Sequence, residues 1–252
     1  MKQSSDRWIF MFATLAKRLL AVTPYRIARG RPNRFQAIES CLEHLRDLGF
    51  APRLIVDAGA HVGAFSLEAN RIFPQARIHM IEPQPACHGA LKTLSEERGF
   101  VFHPVALSNS PGTVRMICGT KLDTGAHIAW EQNRDLANTD VEAATLDGLF
   151  AADMTAADRT LLKLDLQGHE LLALQGASTV LPLVEVALVE VSFFQQIGEP
   201  SIADVVGFFD ANGFDLFDVA ALAGRFRDDR LRQGDLIFVR HGSPLLADRR
   251  WE

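Results

Sequence analysis

The chain has few cysteines, no excess of positive charge and no apolar run long enough to cross a bilayer. Its three cysteines, Cys41, Cys87 and Cys118, are widely spaced among 252 residues and form no C-x-x-C pair. This argues against a disulfide framework and against a thiolate zinc site, and it favours a reducing, cytoplasmic location. The formal net charge of −5 gives no reason to expect a nucleic acid as partner.

The longest N-terminal apolar stretch also lacks the features of a signal peptide. The run Trp8–Ala16 is too short to span a bilayer, and Lys17 and Arg18 interrupt it without a clear cleavage site. Its spacing predicts an amphipathic helix that packs on the core or on a second copy in a homo-oligomer, with membrane-surface contact as the alternative. A second helix, predicted over Phe35–Leu48, completes a helical extension over residues 1–50.

The sequence lacks the G-x-G-x-x-G fingerprint of dinucleotide-binding enzymes, which argues against a nicotinamide-dependent oxidoreductase. In its place, a β-prone stretch ends at Asp57, and Gly59 and Gly63 precede a predicted helix. A strand, a glycine turn and a helix in this order open a doubly wound nucleotide-binding sheet. Glycine lets the backbone approach a ligand, and the helix N–H groups present positive partial charge. The alternative is an ordinary strand-to-helix turn.

An acidic residue ends the second predicted strand, which runs from Arg77 to Glu82 and is followed by Pro83. An acid about twenty residues beyond a glycine turn is placed to accept hydrogen bonds from ribose hydroxyls. We therefore predict that Glu82 binds a ribose, with a helix-capping or surface acid as the alternative.

Strands and helices alternate along the rest of the chain, which predicts an α/β fold with a seven-stranded, mostly parallel sheet. The seven predicted core strands are Arg53–Asp57, Arg77–Glu82, Phe100–Leu107, Thr160–Asp165, Leu183–Val191, Phe214–Val219 and Leu236–Arg240. Hairpin-like residues over 224–234 predict that the last strand is antiparallel. The region between the third and fourth core strands adds two short strands, Thr113–Ile117 and Val141–Leu146.

A long segment without strong periodicity, Cys118–Asp140, is predicted to lie over the carboxyl ends of the strands as a lid. Within it, His127 and Trp130 are candidate acceptor-binding residues, because an indole can stack on the face of a sugar ring. Three basic residues in this region could meet an anionic acceptor, namely Arg115, Lys121 and Arg134.

Taken together, the motifs resemble the FkbM family of S-adenosylmethionine-dependent methyltransferases over residues 53–240. The resemblance is carried by Asp57-Ala58-Gly59-Ala60-His61-Val62-Gly63, Glu82-Pro83, Thr145-Leu146-Asp147, Lys163-Leu164-Asp165-Leu166-Gln167-Gly168-His169-Glu170, Leu174-Gln175-Gly176-Ala177 and Glu190-Val191-Ser192. His61 is a departure, because the family usually has Asn at this place. Imidazole can replace the amide as a donor or acceptor through one ring nitrogen.

The resemblance implies a class I, Rossmann-like methyltransferase domain over residues 51–242 and methyl transfer from S-adenosylmethionine to oxygen, often a sugar hydroxyl. The predicted cofactor-binding residues are Asp57, Gly59, Ala60, His61, Gly63, Glu82, Pro83, Ala106 and Leu107. The expected partner is a small-molecule or glycan acceptor. A non-catalytic cofactor-binding or assembly protein on the same fold stays open as an alternative.

Polar residues follow the fourth and fifth predicted core strands, where a protonated sugar hydroxyl would need a general base. We predict Asp165 or His169 as this base and Glu190 as its orienting partner. Two alternatives stay open for the same three residues: purely structural capping and pairing, or ligation of a magnesium or manganese ion. No metal is predicted.

Overall fold

The computed structural model describes residues 38–119, 122, 124–195, 198–225, 227–248 and 250. The helix predicted at Trp8–Ala16, like the rest of residues 1–37, lies outside the described residues. The second predicted helix is present as α1, Ile38–Asp47, whose Cys41, Leu42 and Leu45 are buried. These three side chains join the hydrophobic core under the main sheet.

The described residues form eleven strands and six α-helices. The strands are β1 Leu54–Ala58, β2 Arg77–Ile81, β3 Val101–His103, β4 Ala106–Leu107, β5 Gly112–Ile117, β6 His127–Ile128, β7 Thr139–Ala144, β8 Thr160–Leu164, β9 Val184–Ser192, β10 Phe214–Gly224 and β11 Leu231–Arg240. The remaining helices are α2 Ala64–Ile72, α3 His88–Arg98, α4 Leu146–Phe150, α5 Glu170–Gln175 and α6 Ile202–Ala211.

Seven strands form the main sheet in the order β10-β11-β9-β8-β1-β2-β3. Strand β11 is antiparallel to both of its neighbours, and the other neighbouring pairs are parallel. The order and the single reversed strand confirm the predicted class I methyltransferase arrangement. The sheet places the carboxyl ends of β1, β2 and β8 side by side, which is where ligands bind in such folds.

The two faces of the sheet bury separate hydrophobic cores, as expected for a sheet covered by helices on both sides. Side chains alternate along β1, so that Leu54 and Val56 join one core and Ile55 joins the other. Helices α4, α5 and α6 contribute to the first core, and α1, α2 and α3 contribute to the second. Both faces of β1 and β8 are therefore shielded from water.

A second, four-stranded sheet in the order β4-β7-β5-β6 was not predicted. The predicted strand Phe100–Leu107 is wrong as one element, because it divides at Pro104 into β3 of the main sheet and β4 of the small one. Proline has no N–H to donate to a strand ladder, so it is a natural point for this division. The lid segment contains β6 and a 3₁₀ turn, Glu131–Leu136.

The β10–β11 hairpin is longer than predicted. Its strands extend to Gly224 and back from Leu231, and the turn is closed by a hydrogen bond from the Arg225 N–H to the Arg230 carbonyl at 3.0 Å. The hairpin therefore extends past the part of β11 that is in register with β9, which ends at Gln233. None of the described helices is long and apolar enough to cross a membrane.

Candidate active site

The turn after β1 has a backbone that few side chains tolerate. Gly59, His61 and Gly63 have φ angles of +76°, +49° and +84°, in the left-handed region that favours glycine. A Cβ on Gly59 would lie 1.8 Å from the Asp165 carbonyl oxygen, and one on Gly63 would lie 2.3 Å from Leu94 Cδ1. Asn and His are enriched among the non-glycine residues that adopt such a φ, which accounts for a His at position 61.

A buried ion pair fixes the base of this turn. Asp57 is fully buried, and Lys163 lies directly opposite it on β8, with Nζ 3.2 Å from Asp57 Oδ1. The other carboxylate oxygen accepts a hydrogen bond from Ser66 Oγ at 2.7 Å. Lys163 Nζ also donates to the carbonyls of Ala58 at 3.3 Å and Gly59 at 2.7 Å. Burial works against the ammonium, but Asp57, Asp165 and Glu82 together outweigh it and raise the Lys163 pKa.

Glu82 is held by backbone amides at the end of β2. Its Oε2 accepts from the His61 N–H and its Oε1 from the Gln84 N–H, each at 2.8 Å. Burial raises the Glu82 pKa, while the two amides and Lys163 oppose that shift. Each carboxylate oxygen has further acceptor capacity, so the side chain can still bind a ligand hydroxyl.

These residues surround a cavity of about 290 Å³ at the carboxyl ends of the strands. Of the predicted cofactor residues, the cavity is lined by Gly59, Ala60, His61, Glu82, Pro83, Ala106 and Leu107. Asp57 lies beneath the turn, and Gly63 shapes the turn at the start of α2. The lid forms the opposite wall with Thr124, Ala126, His127 and Ile128. The structure thus brings the predicted turn, the acid after β2 and the lid to one cavity.

Gln167, which was not predicted as a site residue, connects Asp165 to Glu190. Gln167 Nε2 donates to Asp165 Oδ1 at 2.9 Å and to Glu190 Oε2 at 3.0 Å. Gln167 itself has a φ of +53°, an unfavourable backbone conformation of the kind that clusters at functional sites. Asp165 and Gln167 both line the 290 Å³ cavity.

The pKa values of three acids near Gln167 are raised, namely Glu190, Glu170 and Asp235. Burial, followed by the charges of Asp165, Glu170 and Asp235, raises the Glu190 pKa to about 9. Burial likewise raises the pKa of Glu170 to about 7 and that of Asp235, which lies opposite Glu190 on β11, to about 6. Glu190 is therefore protonated at neutral pH, which relieves repulsion against the other acids.

His169 is not placed with Asp165 and Glu190. It is buried, and its Nε2 lies 3.2 Å from Ser108 Oγ, while its ring packs against Trp130 with centroids 5.8 Å apart. Burial lowers the His169 pKa to about 4, and the residue does not line the 290 Å³ cavity. Among the described residues, no three His, Cys, Asp or Glu side chains are grouped to hold a metal ion. The geometry therefore favours Asp165 over His169 as the predicted base.

A smaller cavity of about 170 Å³ lies on the other side of Gln167. It is lined by Gly125, His127, Trp130, Gln167, Gly168, Ser192, Glu199, Arg232 and Gln233. His127 and Gln167 line both cavities, so the two spaces are neighbours. The candidate acceptor residues His127 and Trp130 are thus found together.

Two of the three basic residues predicted to meet an anionic acceptor pair with acids and line neither cavity. Arg115 pairs with Asp140 at 3.4 Å and donates to the Ala137 carbonyl. Arg134 pairs with Glu131 at 3.4 Å, and Lys121 lies outside the described residues.

Sequence reasoning also missed Lys163 and Arg232 as site residues. Lys163 could have been found, because a single charged residue within the apolar strand Thr160–Leu164 has to be paired when buried. Arg232 gives no such signal, because its position at a cavity depends on how the β10–β11 hairpin folds over the lid.

Comparisons with known proteins find methyltransferases that are similar to this chain. A family model described as "Methyltransferase FkbM domain" matches residues 57–216. "Methyltransferase sdnD" of Sordaria araneosa is 28% identical over 167 residues, and the match covers 53% of this chain and 64% of that protein. The chain therefore spans just under two thirds of the length of this curated relative.

Two of the solved structures to which the chain is similar are also methyltransferases. The methyltransferase FkbM from Methylobacillus flagellatus KT aligns with a TM-score of 0.47 at 15% identity, covering 74% of this chain and 43% of that chain. The 1,6-didemethyltoxoflavin-N1-methyltransferase of Burkholderia thailandensis, solved with 1,6-didemethyltoxoflavin and S-adenosylhomocysteine, aligns with a TM-score of 0.45 at 12% identity, covering 81% and 79%. Because the family model covers more than half of the chain and spans the turn, the acids and the lid, this protein belongs to the FkbM family of methyltransferases.

Proposed function

We propose that this chain transfers a methyl group from S-adenosylmethionine to a hydroxyl of a sugar or of a glycosylated small molecule. One juxtaposition carries the proposal. Asp165 lies in the cavity of the predicted cofactor residues, and its partner Gln167 lines both that cavity and the smaller one beside Trp130. A carboxylate is thereby available at the point where a donor and an acceptor would meet.

The larger cavity fits the adenosyl part of the donor. Glu82 offers carboxylate oxygens to the two ribose hydroxyls, which are donors, and Ile81, Leu107 and Ile128 offer apolar walls to a purine. The Nε2 atom of His61 is buried without a hydrogen-bond partner in the described part of the chain. A buried polar atom of this kind at a cavity wall is expected to find its partner in a ligand.

Asp165 acts on the acceptor in this proposal. S-adenosylmethionine supplies a methyl group on a positively charged sulfur, so the protein has mainly to align the reactants. Gln167 holds Asp165 Oδ1, which leaves Oδ2 to take the proton of the acceptor hydroxyl as the new oxygen–carbon bond forms and the sulfur–carbon bond breaks. The Lys163 ammonium lies 3.7 Å from Oδ2.

The smaller cavity supports a sugar as the acceptor. Trp130 offers a large aromatic face, against which a sugar ring can stack. Ser192, Gln233 and Glu199 offer hydroxyl, amide and carboxylate groups that suit the many hydroxyls of a carbohydrate.

Two measurements test the proposal. Calorimetry with S-adenosylhomocysteine and with NAD should show binding of the first alone, since the glycine turn lacks a pyrophosphate fingerprint. Acceptor-dependent formation of S-adenosylhomocysteine should then be followed with a panel of monosaccharides and glycosides, and the methyl ether should be identified by mass spectrometry. Methylation at nitrogen or carbon would contradict the O-methyltransferase assignment, and binding without turnover of any acceptor would favour the non-catalytic alternative.

A further inference from the structure

We infer that the smaller cavity selects an acceptor with a negatively charged group, a phosphate or a carboxylate, and that Arg232 binds this group. The inference rests on the proposed function, which supplies the acceptor itself. It adds a charge requirement for the acceptor and a residue that imposes it.

Arg232 is an exposed cation at the wall of the smaller cavity. Its side chain makes no hydrogen bond or ion pair with the residues that the structure describes, although it lines the 170 Å³ cavity. Three other arginines near the lid and the hairpin are paired with acids: Arg115 with Asp140, Arg134 with Glu131 and Arg225 with Asp228. A guanidinium left free beside a cavity presents a planar set of donors that matches phosphate or carboxylate oxygens.

The other lining residues determine which end of the smaller cavity suits an anionic group. Trp130 is packed against Gly198, where an added Cβ would lie 3.1 Å from the indole, so the ring is held as a flat wall. The buried acid Glu199 accepts from the Gly198 N–H at 3.0 Å. A carboxylate at this place accepts from hydroxyls and repels an anion. The anionic group is therefore expected at the Arg232 side of the cavity.

The acids near the reacting hydroxyl lead to the same orientation. Asp235 lies opposite Glu190, and Arg232, three residues away along β11, points to the other face of the sheet, because side chains alternate along a strand. The two cavities share Gln167 and His127, so an acceptor with its hydroxyl at Asp165 can place a charged group near Arg232, away from the acid cluster. A neutral sugar would leave the exposed guanidinium to water.

Calorimetry on protein saturated with S-adenosylhomocysteine tests the inference with matched probes. Glucose is compared with glucose 6-phosphate, galactose with galacturonate, and inorganic phosphate is titrated alone. We expect at least one anionic sugar to bind about tenfold or more tightly than its neutral counterpart, as for a charge-assisted hydrogen bond. The phosphate and carboxylate pairs show which anion is preferred.

Variants assign the effect to one residue. R232Q should abolish the preference for the anionic sugar, and R232K should retain part of it because the charge remains. R227Q is the matched control, because Arg227 is an exposed residue of the same hairpin that does not line the cavity. It should keep the wild-type preference.

The outcomes separate this inference from the proposed function. Equal binding of neutral and anionic probes, no binding of any anionic sugar, or an unchanged preference in R232Q would overturn the role of Arg232. If S-adenosylhomocysteine itself did not bind to folded protein, the proposed function would fail first. Tight binding of inorganic phosphate that R232Q does not weaken would also count against the inference.

Discussion

The two cavities on either side of Gln167 are built in different ways. The 290 Å³ cavity rests on backbone geometry, namely a turn with three positive φ angles that is held by the buried Asp57–Lys163 pair. The 170 Å³ cavity is assembled from side chains, with Trp130 from the lid, Glu199 from the segment before α6 and Arg232 from the hairpin. The turn side of the larger cavity is made by the consecutive strands β1 and β2, whereas the smaller cavity is made by segments far apart in the chain.

This difference separates what is required for the fold from what is open to change. A turn whose shape depends on missing side chains, and on a charge that has to be paired, tolerates few substitutions. A cavity lined by side chains from loops and a hairpin can change its specificity while the scaffold stays intact. The variants below test this division, beginning with the largest expected effect.

Gly59→Ala should be the most damaging change. The new Cβ would lie 1.8 Å from the Asp165 carbonyl oxygen, and alanine is disfavoured at a φ of +76°. Gly59 follows β1 and Asp165 follows β8, and both strands are buried, so the turn can accept the Cβ only if its backbone moves. We therefore expect calorimetry to detect no binding of S-adenosylhomocysteine.

Gly89→Ala is the matched control for this substitution. Gly89 lies in α3 with open space around its Cβ position, and alanine is favoured over glycine within a helix by roughly 0.5–1 kcal/mol. The control should bind S-adenosylhomocysteine like the wild type and unfold at slightly higher denaturant. Normal binding by the Gly59 variant would show that the turn is not essential to the cofactor cavity.

Lys163→Met should destabilise the protein by about 3–5 kcal/mol, the cost of removing one partner of a buried ion pair. Asp57 would stay fully buried with the Ser66 hydroxyl as its one side-chain donor among the described residues. Urea denaturation at neutral pH measures the loss. Arg71→Met serves as the comparison, because Arg71 forms exposed ion pairs with Glu39, Glu43 and Glu68, and its loss should destabilise the protein far less. Similar losses in the two variants would contradict a special role for the buried pair.

The cofactor side of the molecule was largely predictable from the sequence. Strand β1, the turn with Gly59 and Gly63, and the acid Glu82 follow one another at a spacing that backbone geometry imposes. Local sequence suffices here because the strand period, the glycine requirement and the order of elements all concern neighbouring residues. The antiparallel β11 was predictable for the same reason, since a hairpin joins it to β10.

The acceptor side was predictable only in part. The lid was placed correctly, but the small sheet of β4 to β7 was missed, because its strands are two to six residues long and pair out of sequence order. His169 was expected beside Asp165 from its spacing, whereas the turn at Gln167 and Gly168 directs it to Ser108. Contacts such as Gln167 with Glu190 depend on tertiary structure, which periodicity does not report.

Asp165→Asn tests which cavity Asp165 serves. If it takes the proton of the acceptor, kcat should fall by about 100-fold or more, while the Kd for S-adenosylhomocysteine stays nearly unchanged. Turnover and calorimetry on the same preparation measure both quantities. Asp210→Asn, an exposed change at the far end of α6, should alter neither. A large loss of S-adenosylhomocysteine affinity in the Asp165 variant would instead assign this residue to the cofactor side.

Glu190→Gln should change the pH dependence of stability rather than the fold. The folded state raises the Glu190 pKa to about 9 because the side chain is buried among other acids, so between its ordinary pKa and 9 the folded protein binds a proton that the unfolded chain releases. The stabilisation is complete below the ordinary pKa and is lost as pH rises towards 9.

Within the acid cluster, Glu190 contributes most of the slope from pH 7 to 9, because the pKa values of Glu170 and Asp235 are raised only to about 7 and about 6. The free energy of unfolding of the wild type should fall in this window by at most about 1.4 kcal/mol per pH unit. Glu190→Gln should flatten the slope, since the amide can still accept from Gln167 and does not ionise. Glu142→Gln, at an exposed position of β7, should leave it as in the wild type. An equally steep slope in the Glu190 variant would mean that another group causes the pH dependence of stability. The acid cluster would then not be a feature that distinguishes the two cavities.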